Sequence, residues 1–285
     1  MDVIKIDNVK IDKIDKIVEF MYELNNCPKH HIGYCGKNKV EIYSTVAELI
    51  EDGNQFFMVC DEDKLIGVIG YEKYDDTVEI WGPFIQENNV QALNLLWDNV
   101  INSVGSDRCK YNIHCNTENL NAREFALDRG FKAICEGKTM ELDLSNIKIQ
   151  LYDNISKIVE CDYIEFSNLH EITFPNAYYN GKQIIDMLDD EHMIFVAKVD
   201  DKLAGYVFIS MNLKFNEGDI EFICVNSNYR GRGCGKQLIN TALNAFKQEG
   251  ITKLQLWVNI VNDNAINLYT KVGFETVDNL ISFGY

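Results

Sequence analysis

A chain of 285 residues with 46% hydrophobic and 11% aromatic side chains can fill packed cores and is long enough for two domains of ordinary size. Its formal net charge of −17 argues against general nucleic-acid binding, because a polyanion would be repelled; it is compatible with a cationic substrate such as an amine, but reads more readily as acidity that keeps the protein soluble. No uncharged apolar run approaches the ~18 residues of a membrane span, and the start MDVIKIDNVKIDK lacks the apolar core of a signal peptide, so no membrane partner and a cytoplasmic location are expected.

In chain order, the first segment with chemical content is Cys27-Pro-Lys-His30-His31-Ile-Gly-Tyr-Cys35. Its composition is metal-like, but it lacks the Cys-x-x-Cys or His-x-x-x-His spacing of zinc sites, so no metal is expected. The nine cysteines are odd in number and include no Cys-x-x-Cys pair, which suits free thiols in a reducing compartment. Asp63-Lys64-Leu65-x-Gly67 reads as a turn between two apolar strands. After Trp81-Gly82-Pro83-Phe84 comes IQENNVQ, leading to a helix near Val90, with no glycine-rich turn and no arginine. Glu87 would repel a phosphate placed there.

The stretch Phe166–Asn180 reads as a helix end and a loop. His170, Glu171, Phe174, Tyr178 and Tyr179 offer a mixed aromatic and polar surface that fits a small polar ligand, and fits ordinary packing equally well. Asp201-Lys202-Leu203-x-Gly205 then repeats the earlier turn. A strand Glu221–Val225 runs into Arg230-Gly-Arg-Gly-Cys-Gly-Lys236, a turn crowded with glycine and positive charge at the start of a helix. Backbone N–H groups at such a place form a concave donor site for an anion such as a pyrophosphate. The helix that follows carries Leu238, Ile239, Ala242, Leu243 and Phe246, a core-facing stripe that needs no partner. A strand Leu254–Val258, a loop with Asn262, a helix over about Asn264–Lys271 and the helix stop Gly273 complete the reading.

An internal repeat links the two halves. Asn119, Asn121, Ala122, Gly130 and Phe131 recur at the same spacing as Asn262, Asn264, Ala265, Gly273 and Phe274. The expected copies are residues 1–145 and 146–285. They differ where the chemistry should lie: the first has no glycine loop, and Ala126 stands at the place of Tyr269.

Arg230-x-x-Gly233-x-Gly235 and Asn262-x-x-Ala265-x-x-Leu268-Tyr269-x-x-x-Gly273-Phe274 together resemble the two signatures of the GNAT acyltransferase superfamily, in the right order and context. The resemblance covers nearly the whole chain, strongly in the second half and weakly in the first. It implies an α/β (α+β type) fold of two tandem domains, each a twisted, mixed, mostly antiparallel sheet flanked by helices. Two parallel strands would splay apart to admit acetyl-CoA as co-substrate. By resemblance, the cofactor side comprises Ile223, Cys224 and Val225, the loop Arg230, Gly231, Arg232, Gly233, Cys234, Gly235 and Lys236, and Asn262, Ala265 and Tyr269. The backbone of Ile223 and Val225 would pair with pantetheine amides, the loop would take the pyrophosphate, and Asn262 would bond the pantetheine arm. Tyr269 would protonate the leaving thiolate. Serine at 227, where the family often has proline, should matter little. Glu221, on one strand face with Ile223 and Val225, is the candidate base, with Asp219 one step further out; a sheet-edge carboxylate without a catalytic role is the other reading. The substrate-binding candidates are His170, Phe174, Tyr178 and Tyr179.

The expected activity is acetyl transfer to a primary amine of a small molecule or peptide, from one active site in 146–285. The first copy would be structural or substrate-shaping. A non-catalytic acyl-CoA-binding or sensing protein is the alternative, and it would have no need of a placed acid at Tyr269.

Overall fold

A computed structural model of the chain describes residues 1–6, 13–87, 89–105, 109–150, 152–175 and 177–285. Asn88 and Asn176, which fall in two of the loops read above, lie outside the described residues. In chain order the elements are β1 (Asp2–Ile6), α1 (Ile14–Asn25), α2 (Lys39–Glu51), β2 (Gln55–Asp61), β3 (Lys64–Tyr74), β4 (Thr77–Ile85), α3 (Val90–Val104), β5 (Lys110–Asn116), α4 (Leu120–Asp128) and β6 (Lys132–Asp143). They continue with β7 (Ile155–Lys157), α5 (Tyr163–Thr173), α6 (Gly181–Asp186), β8 (His192–Val199), β9 (Lys202–Asn212), β10 (Glu217–Val225), α7 (Cys234–Gln248), β11 (Lys253–Asn259), α8 (Asp263–Val272) and β12 (Glu275–Gly284).

The chain forms two compact units, one of Met1–Gly137 with Asp278–Tyr285 and one of Lys138–Val277. The division therefore differs from a single cut at 145. The strand after each Gly-Phe pair is shared out, because Leu280–Gly284 pair antiparallel with Asn112–Asn116 of β5, whereas Met140, Leu142 and Leu144 belong to the core of the second unit.

In the first unit β1, β2, β3 and β4 are antiparallel neighbours, and β4 meets β5 in parallel. The two turns read from the repeat are the β2–β3 and β8–β9 hairpins, with Glu62, Asp200 and Asp201 in the left-handed region that such tight turns use. The second unit follows the same order, β8 and β9 antiparallel, β9 and β10 antiparallel, β10 and β11 parallel. Its sheet is buried on both faces, and β9 shows why. Tyr206 and Phe208 point into one core with Phe166, Ile184 and Phe222, while Val207 and Ile209 point into another with Leu238, Leu243 and Phe246 of α7. A strand alternates its side chains, so an almost wholly apolar run serves two cores at once. The stripe read on α7 is fully buried at Leu238, Ile239, Ala242, Leu243 and Phe246. Among the described residues no helix is long and apolar enough to cross a membrane.

The first unit also holds a histidine that opposes acidification. His114 on β5 bonds Ser282 through Nδ1 at 2.8 Å, and burial, with a smaller contribution from His31, pushes its pKa down to about 4. The unfolded histidine titrates near ~6.5, so between those values the unfolded chain binds more protons. Stability is intact above pH ~6.5 and is lost as the pH falls towards 4, by up to about 3 kcal/mol for this group. Urea unfolding at pH 7 and pH 4.5 should show a larger drop in midpoint for the wild type than for His114→Asn. Equal drops would exclude His114 as a source.

Candidate active site

The site begins where two strands part. β10 and β11 pair in parallel only over Glu217–Asp219 against Lys253–Gln255. Beyond that, β10 keeps its antiparallel partner β9 as far as Val225 opposite Gly205. The register slips at one place: Ile220 faces Ile209 and Phe222 faces Phe208, so Glu221 is the extra residue of a bulge. The carbonyl of Cys224 faces β9, since a Cβ on Gly205 would run into it. Alternation along the strand turns the peptide groups of Ile223 and Val225 to the opposite edge, the one β11 has left. Cys224, expected on the cofactor edge with its neighbours, therefore turns away from it. Its buried thiol lies 3.1 Å from Thr173 Oγ1, and burial pushes its pKa up.

The loop after β10 is shaped by three features. Arg230 Nε–H donates to Val225 O at 3.1 Å, folding the loop back onto the strand end. Gly231 and Gly233 have φ of +75° and +83°. A Cβ on either would meet nothing within 4 Å, so backbone conformation, not space, demands glycine there. At Gly235 the reason is space: a Cβ would lie 3.1 Å from Leu268 Cδ2 of α8.

Helices α2, α3, α4, α6 and α8 each start on an asparagine (Asn38, Asn89, Asn119, Asn180, Asn262) whose side chain accepts a backbone N–H. α7 starts on Gly233, with no side-chain cap. Its first backward bond is Gln237 N–H to Gly233 O, 3.1 Å. The N–H groups of Cys234, Gly235 and Lys236 are thus left without intrahelical acceptors, at the positive end of the helix dipole. Arg232, with its guanidinium 5.7 Å from the Tyr229 ring, and the exposed Lys236 add charge beside them.

On α8, Asn262 Oδ1 accepts the Ala265 N–H at 3.2 Å, so its first duty is to cap the helix. Tyr269 is 5% exposed with its ring 5.9 Å from Phe274. Burial raises its pKa, which keeps the phenol protonated across the neutral range.

Glu221 is held at both oxygens. Ser210 Oγ–H donates to Oε1 at 2.7 Å, and the Tyr178 hydroxyl donates to Oε2. Burial of that hydroxyl and the adjacent carboxylate both push the Tyr178 pKa up. Tyr178, Tyr179 and Phe174 gather around Phe222, the Tyr178 and Phe174 rings lying 5.0 and 5.2 Å from it. His170 is different from the expectation. It is fully buried, with Nε2 at 2.9 Å from Tyr179 O and Nδ1 at 2.6 Å from the Tyr206 hydroxyl. A carbonyl only accepts, so Nε2 carries the proton and Nδ1 accepts from Tyr206. His170 positions the α5–α6 loop and presents nothing to a ligand. Ser210 was not foreseen: a serine in an apolar strand has no signature, and its partner depends on the bulge.

The first unit lacks these features. Asn89 takes the Ala92 N–H at 3.0 Å and closes the start of α3. β4 has a register slip of its own, but it falls at Gly82–Pro83 opposite Ile69; Ile80 and Trp81 stay in register with Tyr71 and Gly70, and no carboxylate stands at the slip. Among the described residues no group of three or more His, Cys, Asp or Glu could hold a metal.

Residues 155–274 match the model of the acetyltransferase (GNAT) family. An uncharacterised N-acetyltransferase of Methanocaldococcus jannaschii is 30% identical over 177 residues, 58% of this chain and 77% of the relative. This chain belongs to the GNAT acetyltransferase family. It is an acyltransferase enzyme. An N-alpha-acetyltransferase of Sulfurisphaera tokodaii is 27% identical over 127 residues, 41% of this chain and 76% of its own. Among solved structures, a GCN5-related N-acetyltransferase of Sphaerobacter thermophilus shares the fold with TM-score 0.73 at 12% identity, covering 99% of this chain and 95% of its own. A tandem GNAT protein from the clavulanic acid biosynthesis pathway does so with TM-score 0.64 at 13% identity, covering 100% and 98%. The GNAT fold expected of the chain is the fold observed.

In this GNAT protein the His170 bridge is testable by itself. His170→Phe removes the His170 partner of the buried Tyr206 hydroxyl, and about 1–3 kcal/mol of stability should be lost if that hydroxyl stays buried. Urea unfolding reads this directly; an unchanged midpoint would show that the bridge contributes nothing.

Proposed function

We propose that the second unit transfers an acetyl group from acetyl-CoA directly to a primary amine of a small molecule or peptide, and that the first unit is a degenerate copy with a structural or substrate-shaping role. The observation that carries this is the uncapped start of α7 beside the edge of β10 that β11 has left. The N–H groups of Cys234, Gly235 and Lys236 suit a pyrophosphate, and each such charge–dipole contact is worth roughly 0.3–1 kcal/mol when exposed. The edge at Ile223 and Val225, where Arg230 takes the Val225 carbonyl, suits an extended amide-bearing arm laid down as an added strand.

In the reaction, the neutral amine attacks the thioester carbon, a C–N bond forms, the C–S bond breaks and CoA leaves as a thiolate. Glu221, oriented by Ser210 and Tyr178, takes the amine proton directly or through water. Tyr269 faces the thiolate as a hydrogen-bond donor. An alkylamine of pKa ~10.4 is only about one part in a few thousand neutral at pH 7, roughly 4–5 kcal/mol, whereas an α-amine of pKa ~7.7–8.0 needs only about 1 kcal/mol. Similar proteins named N-alpha-acetyltransferases, from Sulfurisphaera tokodaii and Danio rerio, make peptide α-amines the first acceptors to screen. A reducing, cytoplasmic setting fits the free thiols.

Isothermal titration of acetyl-CoA should give one site per chain, lost in Gly233→Val, because a β-branched residue resists φ of +83°. Two sites would overturn the degenerate-copy reading, and no binding would overturn the donor. With an acceptor in hand, Tyr269→Phe should lower kcat about tenfold to a hundredfold, the worth of one hydrogen bond to a developing charge, with acetyl-CoA affinity retained. Unchanged turnover would remove Tyr269 from the mechanism.

A further inference from the structure

The first unit parts its strands as the second does: β4 and β5 pair in parallel only over Thr77–Glu79 against Lys110–Asn112. The peptide groups of β5 alternate between its two edges. Tyr111 exchanges bonds with Tyr285, N–H to O at 3.3 and 2.9 Å, so odd-numbered residues face the terminal strand. Those of Lys110, Asn112, His114 and Asn116 face β4, and Lys110 N–H indeed reaches Asp76 O at 2.7 Å.

Beyond Asn112, where β4 has turned away, another piece of chain takes this edge. Gly33 N–H donates to His114 O at 2.7 Å, Asn116 N–H donates to His31 O at 3.0 Å, and Ile32 forms an antiparallel bridge with Cys115. On the other side of the gap the His30 ring meets the backbone of Ile85, the last residue of β4. Ile32 is fully buried, and a Cβ on Gly33 would run into the His114 ring.

The segment is fastened by polar groups. Asn25 accepts the Ile32 N–H at 2.7 Å and donates to Cys35 O and Gly36 O at 2.7 and 2.9 Å. The buried Asp278 carboxylate takes Lys37 Nζ and, at 2.9 Å, Asn116 Nδ2, with His31 Nε2 at 3.9 Å.

We infer that His30–Gly33 is a resident strand: the chain itself fills, in the first unit, the cleft that the function proposed above assigns in the second to the acyl-CoA arm. The motif first read as metal-like is thus a strand substitute. Its glycine allows close approach to His114, and its histidines span the gap between β5 and β4. The anion end of the same cleft is shut by the Asn89 cap. The first unit takes no acyl-CoA because its binding edge is already paired.

Amide hydrogen exchange resolved to single residues, on the full chain with and without saturating acetyl-CoA, tests this. Gly33 and Asn116 should exchange at least about a hundredfold more slowly than in an unstructured peptide, and acetyl-CoA should leave both unchanged while slowing Gly235 and Lys236. Free-peptide rates at Gly33 and Asn116 in the folded protein would overturn the inference. So would faster exchange at Gly33 on adding acetyl-CoA, since the cofactor would then be displacing the segment, or a second equivalent of acetyl-CoA bound per chain. Unresponsive Gly235 and Lys236 would sink the acyl-CoA reading of the second unit alone, with the Gly33 and Asn116 rates still deciding whether the segment is a resident strand.

Discussion

Parallel pairing that stops after three residues is the constraint on which both units turn. Where β10 leaves β11, and where β4 leaves β5, a row of backbone donors and acceptors loses its partner inside a sheet. Such groups cost free energy unless something satisfies them. Water or a side chain can satisfy them singly, and a ligand or another stretch of the same chain can satisfy them as a row. The first unit uses its own His31–Gly33. In the second, Arg230 takes the carbonyl of Val225, and the rest of the edge is what an extended ligand would pair with.

The helix after each parting follows the same logic. Asparagine at the first helical boundary satisfies an N–H and fills the space where an anion would sit. Glycine satisfies nothing and leaves the dipole end open. The exchange of Asn89 for Gly233 between otherwise matching places is thus a change from a closed helix start to an open one, the place the proposed function gives to the pyrophosphate. It costs the second unit a cap, and the positive φ of Gly231 and Gly233 limits which sequences can make that loop.

Much of this was legible in the sequence because it rests on residue types with narrow conformational meaning. The glycines of 231–235, the asparagine at 262 and the Gly-Phe pairs announce loop, cap and helix stop, and the two Asp-Lys-Leu-x-Gly turns announce the hairpins. Two kinds of fact were hidden. Register is one: the bulge at Glu221 and the pairing that brings Ser210 to its carboxylate follow from how strands β9 and β10 align, and no local propensity encodes that. Long-range pairing is the other. His170 looked like a ligand-facing polar residue because its partners, Tyr206 and the Tyr179 carbonyl, meet it only in the folded core. The Cys27–Cys35 run looked metal-like because its partner, the edge of β5, lies far along the chain, and the sharing of β12 between the units was hidden for the same reason.

In the reaction proposed for the second unit, the two groups assigned to handle protons would be unequal. Burial holds the Tyr269 phenol above its ordinary pKa, whereas a thiol has a pKa near ~8.5. Full proton transfer from this tyrosine to a departing thiolate would therefore be uphill, and its contribution to the proposed reaction would be a hydrogen bond that strengthens as charge builds on sulfur. The amine side needs the reverse, an acceptor available before attack. Glu221 would meet that need by position: a bulge residue breaks the pleat, and Ser210 and Tyr178 hold its two oxygens from different elements, a strand and a loop. Because the Tyr178 loop is itself fastened by His170, the carboxylate's orientation depends on a residue wholly inside the core. If the proposed roles hold, acceptor recognition and base positioning are one structural problem, and substitutions in the α5–α6 loop should not separate them.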